Sequence, residues 1–207
     1  MKVTAFIPAK SFSQRITCKN IKIFCGYPLI FWSIRAAQKA KLVSRVLVST
    51  DGKEIAKIAK SYGAEVVFRT KNNLDTLEEV ISDYLNNYPK IKERLILLQP
   101  TSPVRTPEDI DNCIYKSAMS VCLEDDLFLW DKSEPFNFQK DNRKLYGKYY
   151  RENGSIYSCS KEGSRYGHKN FYSMPKWKSF ELDIYEDWEM CEYFMRKLLK
   201  EEGNYAV

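Results

Sequence analysis

Apolar residues along the chain follow two alternating periods, one typical of β-strands and one typical of α-helices. Short runs rich in β-branched residues predict buried strands at residues 3–8, 45–50, 64–68 and 94–98. Apolar residues that recur every third or fourth position predict helices at residues 28–42, 53–62, 74–88 and 185–200. This alternation is typical of an α/β fold, and it predicts a doubly wound, mainly parallel sheet with helices on both faces.

Individual residues mark where several of these helices begin and end. Pro28 suits the first turn of a helix, where its missing N–H is not needed. Asp51 is expected to cap the helix that follows it, and Gly63 to end that helix in the left-handed conformation. Thr106 followed by Pro107 predicts the start of a further helix, with two acidic residues at the positive end of its dipole.

The chain has 207 residues, which is enough for one globular domain, and no internal repeat divides it. Between about residues 123 and 150 the pattern changes to short strands and turns with many aromatic residues, including Phe128, Trp130, Phe136, Phe138, Tyr149 and Tyr150. We therefore expect a single domain, residues 1–207, with a small β-rich insertion. The aromatic residues of the insertion favour buried surface, of which a subunit interface is one form.

Composition and charge narrow the class of protein. Lys and Arg number 33 and Asp and Glu 27, so the formal charge is +6, compatible with an anionic small molecule or nucleic acid. The six cysteines lie far apart without a C-x-x-C pair, which argues against a disulfide scaffold or zinc knuckle and favours the reducing cytoplasm. No apolar stretch approaches the length of a membrane span, and we expect neither a membrane protein nor a secreted one.

A polar loop with three cations follows the first predicted strand. Lys10, Arg15 and Lys19 lie within residues 9–20, where serines and backbone amides add neutral donors. Cations that converge at the end of a buried strand are suited to hold a polyphosphate. The loop matches neither the P-loop nor the G-x-G-x-x-G pattern. A solvated basic loop is the alternative, and RNA binding is disfavoured because the cations are confined to one loop.

A second polar loop leaves the strand that ends at residue 98. Two prolines stiffen it and hold the side chains of Gln99, Thr101 and Ser102 between them. A rigid polar loop orients a ligand well, and these three side chains could recognise hydroxyl groups. A stiff connector into the next helix is the alternative.

A third segment is acidic and precedes the last helix. If the segment is extended, Glu181 and Asp183 point to the same side and could share a Mg²⁺ ion with phosphate oxygens. Asp183 followed by Glu186 is also a good capping box for the helix. One residue could do both.

Six segments taken together resemble, in the same order, the acylneuraminate cytidylyltransferases, the enzymes that make CMP-sialic acid and its bacterial relatives. They are residues 3–20, 26–30, 48–51, 97–105, 151–157 and 182–188, and the most specific motifs are Q-P-T-S-P-x-R and R-x-N-G-x-I-Y. The resemblance implies a Rossmann-like nucleotidyltransferase fold and a Mg²⁺-dependent transfer from CTP to a nine-carbon acidic α-keto sugar of sialic, legionaminic or pseudaminic type, with release of pyrophosphate. It also implies a homodimer formed through the insertion.

The resemblance further implies roles for residues at the motif positions. The catalytic cations that hold the triphosphate are Lys10, Arg15 and Lys19. The other residues that bind the nucleotide are Ser11, Asn20 and Arg69. The residues that contact the acceptor sugar are Gln99, Thr101, Ser102, Arg151 and Asn153. The residues that bind Mg²⁺ are Glu181 and Asp183.

The chain departs from the family pattern at several positions. Lys10 stands where the family usually has arginine, Gln14 where many members have lysine, and Glu181 where aspartate is frequent. Residues 69–79 are shorter than the family stretch that helps to read the cytosine. These departures leave open a 3-deoxy-manno-octulosonate cytidylyltransferase, a guanylyl-transferring relative, or a non-catalytic homologue that binds nucleotide or sugar.

Overall fold

The computed structural model describes residues 2–71, 74, 76–88, 93–124, 130–131, 134–135, 149–159 and 170–201. Its strands are β1 (Val3–Ala9), β2 (Ile23–Phe24), β3 (Tyr27–Pro28), β4 (Arg45–Thr50), β5 (Glu65–Phe68), β6 (Arg94–Leu98), β7 (Met119–Glu124), β8 (Trp130–Asp131), β9 (Glu134–Pro135), β10 (Tyr149–Ser158) and β11 (Phe171–Ser173). Its helices are α1 (Leu29–Lys39), α2 (Lys53–Ser61), α3 (Leu77–Asn87), α4 (Pro107–Lys116) and α5 (Tyr185–Glu201). Single 3₁₀ turns lie at Lys19–Ile21 and Lys176–Lys178.

Seven strands form one sheet in the order β11-β7-β10-β6-β1-β4-β5. The strand β10 runs antiparallel to both of its neighbours, and the other six strands of this sheet run in one direction. The pairs β2-β3 and β8-β9 are separate antiparallel ribbons. The predicted mainly parallel sheet is confirmed.

The order of the strands places a crevice at the centre of the sheet. From β1 the chain adds β4 and β5 on one side, and then it crosses back to place β6 on the other side of β1. The loops after β1 and β6 therefore diverge, and such a reversal is where open α/β sheets bind ligands. The first two polar loops of the sequence begin at this crevice.

Side chains of the central strands are buried on both faces of the sheet, which is why the predicted strands are continuously apolar. On β1, Ala5 and Ile7 pack into a cluster that includes residues of α1, α2 and α4. Between them, Phe6 points to the opposite face and packs into a cluster with α3. Helices thus cover both faces, as predicted for a doubly wound sheet.

The last helix packs beside α1 through an apolar stripe. Its buried residues are Trp188, Cys191, Met195 and Leu198, which recur at helical spacing. They share a third cluster with Trp32 of α1 and with Leu182, which lies in the acidic segment just before α5. Burial of Leu182 anchors the acidic segment against the fold.

Several predicted boundaries are confirmed and others shift by a few residues. The strands at 45–50 and 94–98 match β4 and β6. The helix predicted at 28–42 is shorter as α1, because Pro28 precedes it as the capping residue and Ala40 is extended. The helix predicted at 74–88 begins at Leu77, because Thr76 and Glu79 form a capping box.

Helix ends also test the expected roles of single residues. Thr106 caps α4 in a capping box with Asp109, and Pro107 occupies the first turn, as predicted. Gly63 adopts a φ of +79°, also as predicted. The prediction for Asp51 is wrong: Gly52 is the capping residue of α2, and no side chain caps that helix. The carboxylate of Asp51 instead accepts a hydrogen bond from the backbone of the loop after β1.

Most of the insertion predicted at about 123–150 lies outside the described residues. The described part holds the end of β7, the β8-β9 ribbon and the start of β10. The strand β10 has ten residues, longer than the short strands expected there. Among the helices that the structure describes, none is long and apolar enough to cross a membrane.

Candidate active site

A cleft of about 390 Å³ opens at the carboxyl ends of β1 and β6. One wall is the loop after β1, the second is the loop after β6, and the third is the region from β5 to α3. The lining residues from the loop after β1 are Pro8, Lys10, Ser13, Gln14, Arg15, Lys19 and Asn20. The other lining residues are Arg69, Leu74, Thr76, Leu77, Val80, Gln99, Pro100, Thr101 and Asp183.

The loop after β1 is held in shape by hydrogen bonds at both ends. The side-chain amide of the buried Asn20 donates to the carbonyl of Lys10 over 2.9 Å. The backbone N–H of Ser11 donates to Asp51 over 2.7 Å, and a Cβ at Gly52 would come within 2.9 Å of the Ser11 Cβ. These contacts leave Ser11 outside the cleft lining and aim Lys10 into it.

The cationic loop and the acidic segment meet at Asp183. Arg15 Nη1 lies 3.2 Å from one carboxylate oxygen of Asp183, and Lys19 Nζ lies 3.5 Å from the other. Lys19 Nζ also donates to the carbonyl of Leu182 over 2.7 Å. Burial lowers the pKa of Lys19, and the nearby Asp183 opposes that shift. Opposite charges predicted from separate segments therefore lie in direct contact.

The backbone just before α5 is held by the side chain of Asp187 and not by that of Asp183. One carboxylate oxygen of Asp187 accepts from the backbone N–H groups of Asp183 and Ile184, each over 2.9 Å. The predicted capping box of Asp183 with Glu186 is wrong, because the side chain of Asp183 turns towards Arg15 and Lys19 instead. Asp183 is thus free of the structural role that competed with metal binding.

Glu181 lies close to Asp183 but is more enclosed. Burial raises the pKa of the Glu181 carboxyl, and the charge of Asp183 raises it further. Gly154 has a φ of +66°, and a Cβ there would overlap the Glu181 carboxylate. Two neighbouring carboxylates beside cations that can hold phosphate are a donor set that suits Mg²⁺, which binds one or two carboxylates and completes its shell with phosphate and water. No cluster of three or more potential metal ligands occurs in the described part of the chain.

A buried arginine holds the loop after β6 from the side of the core. The guanidinium of Arg105 donates to the backbone carbonyls of Gln99, Ser102 and Ser155, the last over 3.1 Å. Burial lowers the pKa of Arg105 to about 9. The carbonyl of Thr101 accepts from the N–H of Leu182 over 2.7 Å, so this loop is also tied to the acidic segment.

Not every residue predicted to face the sugar reaches the cleft. Gln99 and Thr101 line it, whereas Ser102 is 1% exposed and its hydroxyl bonds the carbonyl of Asn153. Asn153 is fully buried, and its amide bonds the hydroxyls of Ser120 and Ser179. The structure thus places Ser102 and Asn153 behind the cleft, with their polar atoms engaged inside the fold.

Arg151 lies outside the cleft lining and near Glu181, where its charge only partly opposes the rise that burial causes in the pKa of Glu181. Its Nε donates to Glu124 over 2.9 Å, and its side chain is 41% exposed. Lys176 shares Glu124 with it over 3.3 Å. An exposed, oriented guanidinium beside the acidic segment remains suited to a carboxylate of a substrate.

Sequence reasoning predicted Arg69 as a nucleotide-binding residue but missed the apolar residues on the third wall of the cleft. The apolar side chains of Leu74, Leu77 and Val80 line it beside Arg69. Their spacing is that of any helix packed on a core, so no sequence pattern distinguished them from core residues. Arg69 itself lines the cleft as predicted; its Nη2 contacts the Ser49 carbonyl over 3.4 Å, and burial lowers its pKa.

A doubly wound sheet with a cationic loop, an acidic segment and a polar loop at its switch point defines a nucleotidyltransferase. Comparison with known proteins narrows the class. The cytidylyltransferase family profile matches residues 4–203. The chain belongs to the cytidylyltransferase family.

Two curated relatives and one solved structure illustrate the similarity. The chain is 32% identical to CMP-N,N'-diacetyllegionaminic acid synthase of Legionella pneumophila, over 94% of the chain and 97% of that protein. It is 30% identical to N-acylneuraminate cytidylyltransferase A of Danio rerio, over 92% of the chain but 50% of that protein. The structure of CMP:2-keto-3-deoxy-manno-octonic acid synthetase complexed with CTP superposes with a TM-score of 0.69 at 14% identity, covering 98% of this chain and 100% of that one.

Proposed function

We propose that the protein transfers a cytidylyl group from CTP to the anomeric hydroxyl of a nine-carbon acidic α-keto sugar and releases pyrophosphate. The observation that carries the proposal is the contact of Arg15 and Lys19 with Asp183 at the mouth of a cleft that Gln99 and Thr101 also line. Groups for phosphate, metal and acceptor thus surround one space. The Legionella relative supports a sugar of legionaminic type.

In this proposal the cationic loop binds the triphosphate. Lys10, Arg15 and Lys19 neutralise its charge and stabilise the negative charge that develops on pyrophosphate as the bond from the α-phosphorus to its leaving oxygen breaks. Asn20 keeps Lys10 in place through its backbone carbonyl. Arg69 lies on the third wall of the cleft, and the proposal places the nucleoside beside it.

The acceptor sugar approaches from the side of the loop after β6. Its anomeric oxygen bonds to the α-phosphorus, its hydroxyl proton is released, and no protein-bound intermediate forms. Gln99 and Thr101 orient the sugar hydroxyls, and Arg151 pairs with the sugar carboxylate. Ser102 and Asn153 act indirectly, because they hold the loop and β10 together from within the core.

Glu181 and Asp183 are the residues that would hold Mg²⁺. Bound there, the ion would neutralise phosphate charge and orient the α-phosphate for in-line attack. Chelation of divalent ions with EDTA is expected to abolish pyrophosphate release, and added Mg²⁺ to restore it. Unchanged turnover in EDTA would contradict a role for metal.

We further propose a cytoplasmic homodimer. The exposed rings of Tyr150 and Phe171 lie 5.5 Å apart, next to the predicted insertion, and Leu123 is exposed opposite Tyr150. Such an apolar patch supports burial against a second copy. Light scattering is expected to give twice the chain mass and Phe171→Glu a monomer; a monomeric wild type would contradict the dimer.

The activity is tested by incubating the protein with Mg²⁺, each of the four nucleoside triphosphates and a panel of acidic sugars. The panel contains sialic, legionaminic, pseudaminic and 3-deoxy-manno-octulosonic acids. We expect pyrophosphate release with CTP and a nine-carbon sugar. Release with the eight-carbon sugar alone, or with GTP, would favour the alternative transferases, and CTP binding without any release would favour a non-catalytic homologue.

A further inference from the structure

A buried carboxylate on α3 ties that helix to the residue that follows Arg69. One oxygen of Asp83 accepts from the backbone N–H of Thr70 over 3.0 Å, and the other accepts from the Thr70 hydroxyl. The side-chain amide of Asn87, one turn further along the helix, donates to the Thr70 hydroxyl over 3.1 Å and to Asp83 over 3.3 Å. Both oxygens of Asp83 are therefore used to hold Thr70.

Two of the cleft-lining residues at the start of α3 lie on the same stripe as Asp83. Thr76, Val80, Asp83 and Asn87 follow one another at spacings of four, three and four residues, so they share a face. Thr76 and Val80 line the cleft, while Asp83 and Asn87 bind Thr70. A shift of α3 relative to Thr70 would move this wall of the cleft.

Arg69 lies between the tie and the cleft. Its backbone N–H donates to the carbonyl of Thr50 over 3.0 Å, which joins it to the end of β4. Its Nε is buried and has no hydrogen-bond partner in the part of the chain that the structure describes. The backbone on one side of Arg69 is thus held by β4 and on the other side by Asp83, and a donor is left for a ligand.

A carboxylate 7% exposed is a costly way to attach a helix, because its charge is desolvated and its hydrogen-bond donors here are neutral groups. An apolar contact would attach α3 at less cost. Unlike an apolar contact, the carboxylate fixes the orientation of α3 relative to Thr70, because its two oxygens bind two different donors of that residue.

We propose that Asp83 is a positioning residue that sets nucleotide selectivity. It does so by fixing the position of Arg69 relative to the residues of α3 that line the cleft. The inference rests on the proposed function, which places the nucleoside beside Arg69 on the third wall of the cleft. Asp83 lies outside all six segments that carry the family resemblance, four residues beyond the stretch at 69–79 where this chain departs from the family pattern.

The direct test removes the Thr70 hydroxyl, because Thr70 is exposed and its replacement leaves the core intact. Dissociation constants for CTP and UTP are measured by calorimetry for wild type, Thr70→Val, Thr70→Ser and Asp83→Asn. We expect Thr70→Val and Asp83→Asn to weaken CTP binding by about tenfold, to bind UTP almost as wild type does, and thus to lose discrimination. Thr70→Ser keeps the hydroxyl and is expected to restore both constants.

Two controls separate positioning from general destabilisation. Ser82→Ala changes an exposed residue of the same helix, and Ile110→Val trims a buried residue of α4 on the other face of the sheet. Both control variants are expected to keep the wild-type ratio of the dissociation constants for CTP and UTP, even if their melting temperatures differ from that of the wild type. The inference would be overturned if Thr70→Val and Asp83→Asn left the ratio of the CTP and UTP dissociation constants unchanged, whether both constants stayed the same or both rose equally. A wild type that binds neither nucleotide would instead refute the proposed function.

Discussion

Asp183 is the residue at which two roles indicated by the sequence, metal binding and helix capping, compete. Its side chain contacts Arg15 and Lys19, while Asp187 holds the backbone just before α5. The spacing of acids before a helix could not distinguish the two, because either acid lies within reach of the first turn. Only the direction in which the side chain of Asp183 points distinguishes metal binding from helix capping.

Substitution of Asp183 with asparagine is therefore expected to remove activity without loss of stability. The change deletes a charge beside the triphosphate site, and we expect turnover to fall about a thousandfold or more. The melting temperature should stay within a few degrees of wild type. Turnover and thermal unfolding measured on the same preparation check both parts.

Asp187→Ala is the matched control. It removes a carboxylate that accepts from two backbone N–H groups just before α5, so we expect a loss of about 1 kcal/mol in the free energy of unfolding. Turnover should fall far less than in Asp183→Asn. If the two variants exchange these behaviours, the assignment of Asp183 to the site is wrong.

Gly154 gives a second prediction for a single residue. Alanine there would be strained at a φ of +66°, and its Cβ would displace the Glu181 carboxylate. Because small displacements at a reacting centre are costly, we expect kcat to fall by about a hundredfold. The affinity for CTP, measured by calorimetry without Mg²⁺, should change little.

Gly63→Ala is the control for backbone strain alone. Gly63 is also left-handed, at a φ of +79°, but it ends α2 away from the residues that line the cleft. We expect about 1 kcal/mol of lost stability and unchanged turnover per folded molecule. An equal loss of turnover in both variants would show that strain, and not the position of Glu181, is responsible.

The sequence predicted where charged residues lie better than it predicted which way polar side chains point. The position of Lys10, Arg15 and Lys19 at the cleft could be predicted, because residues that directly follow a central strand lie at the carboxyl edge of the sheet. Ser102 and Asn153 could not, because a motif identifies a residue and not the direction of its polar atoms. Both belong to specific motifs, yet they face the core.

At the scale of elements, the loop after β6 shows how a motif can work through its backbone. In addition to its two prolines, the loop is held by Arg105, which binds three of the carbonyls around it. The motif ends in this arginine, which is buried and faces the core.

Arg105→Lys is expected to loosen this loop while keeping a positive charge. Lysine lacks the planar fork that reaches several carbonyls at once, so Gln99 and Thr101 lose their support. We expect KM for the sugar to rise about tenfold and KM for CTP to change less than twofold. Steady-state kinetics with each substrate varied in turn measure this; an equal rise in both KM values would contradict a local role.

Helix boundaries were predicted well where a cap and a period agreed. Thr106 and the helix after it coincide with α4, whereas apolar spacing alone placed the start of α3 at residue 74 instead of Leu77. The capping box at Thr76 explains the difference, and it was present in the sequence. That shift matters, because Leu74 then lies in the cleft lining and not in the helix.

At the scale of the whole molecule, alternation of strands and helices sufficed to predict the class of fold but not the strand order. The sheet contains one reversed strand, β10, inserted between β6 and β7. Pairing partners far apart in sequence leave no local pattern, so this placement could not be predicted. It is nevertheless what brings Arg151 and Gly154 beside the acidic segment.

The proposed reaction is attack by a sugar hydroxyl on the α-phosphorus of CTP. The most direct measurement follows radiolabel from CTP labelled at the α-phosphate or at the γ-phosphate, with Mg²⁺ and a legionaminic-type sugar. We predict that the α-label appears in a CMP-sugar and the γ-label in pyrophosphate, at equal rates, and that Asp183→Asn abolishes both. Recovery of the γ-label as free phosphate, or of no labelled sugar product with any acidic sugar of the panel, would contradict the account.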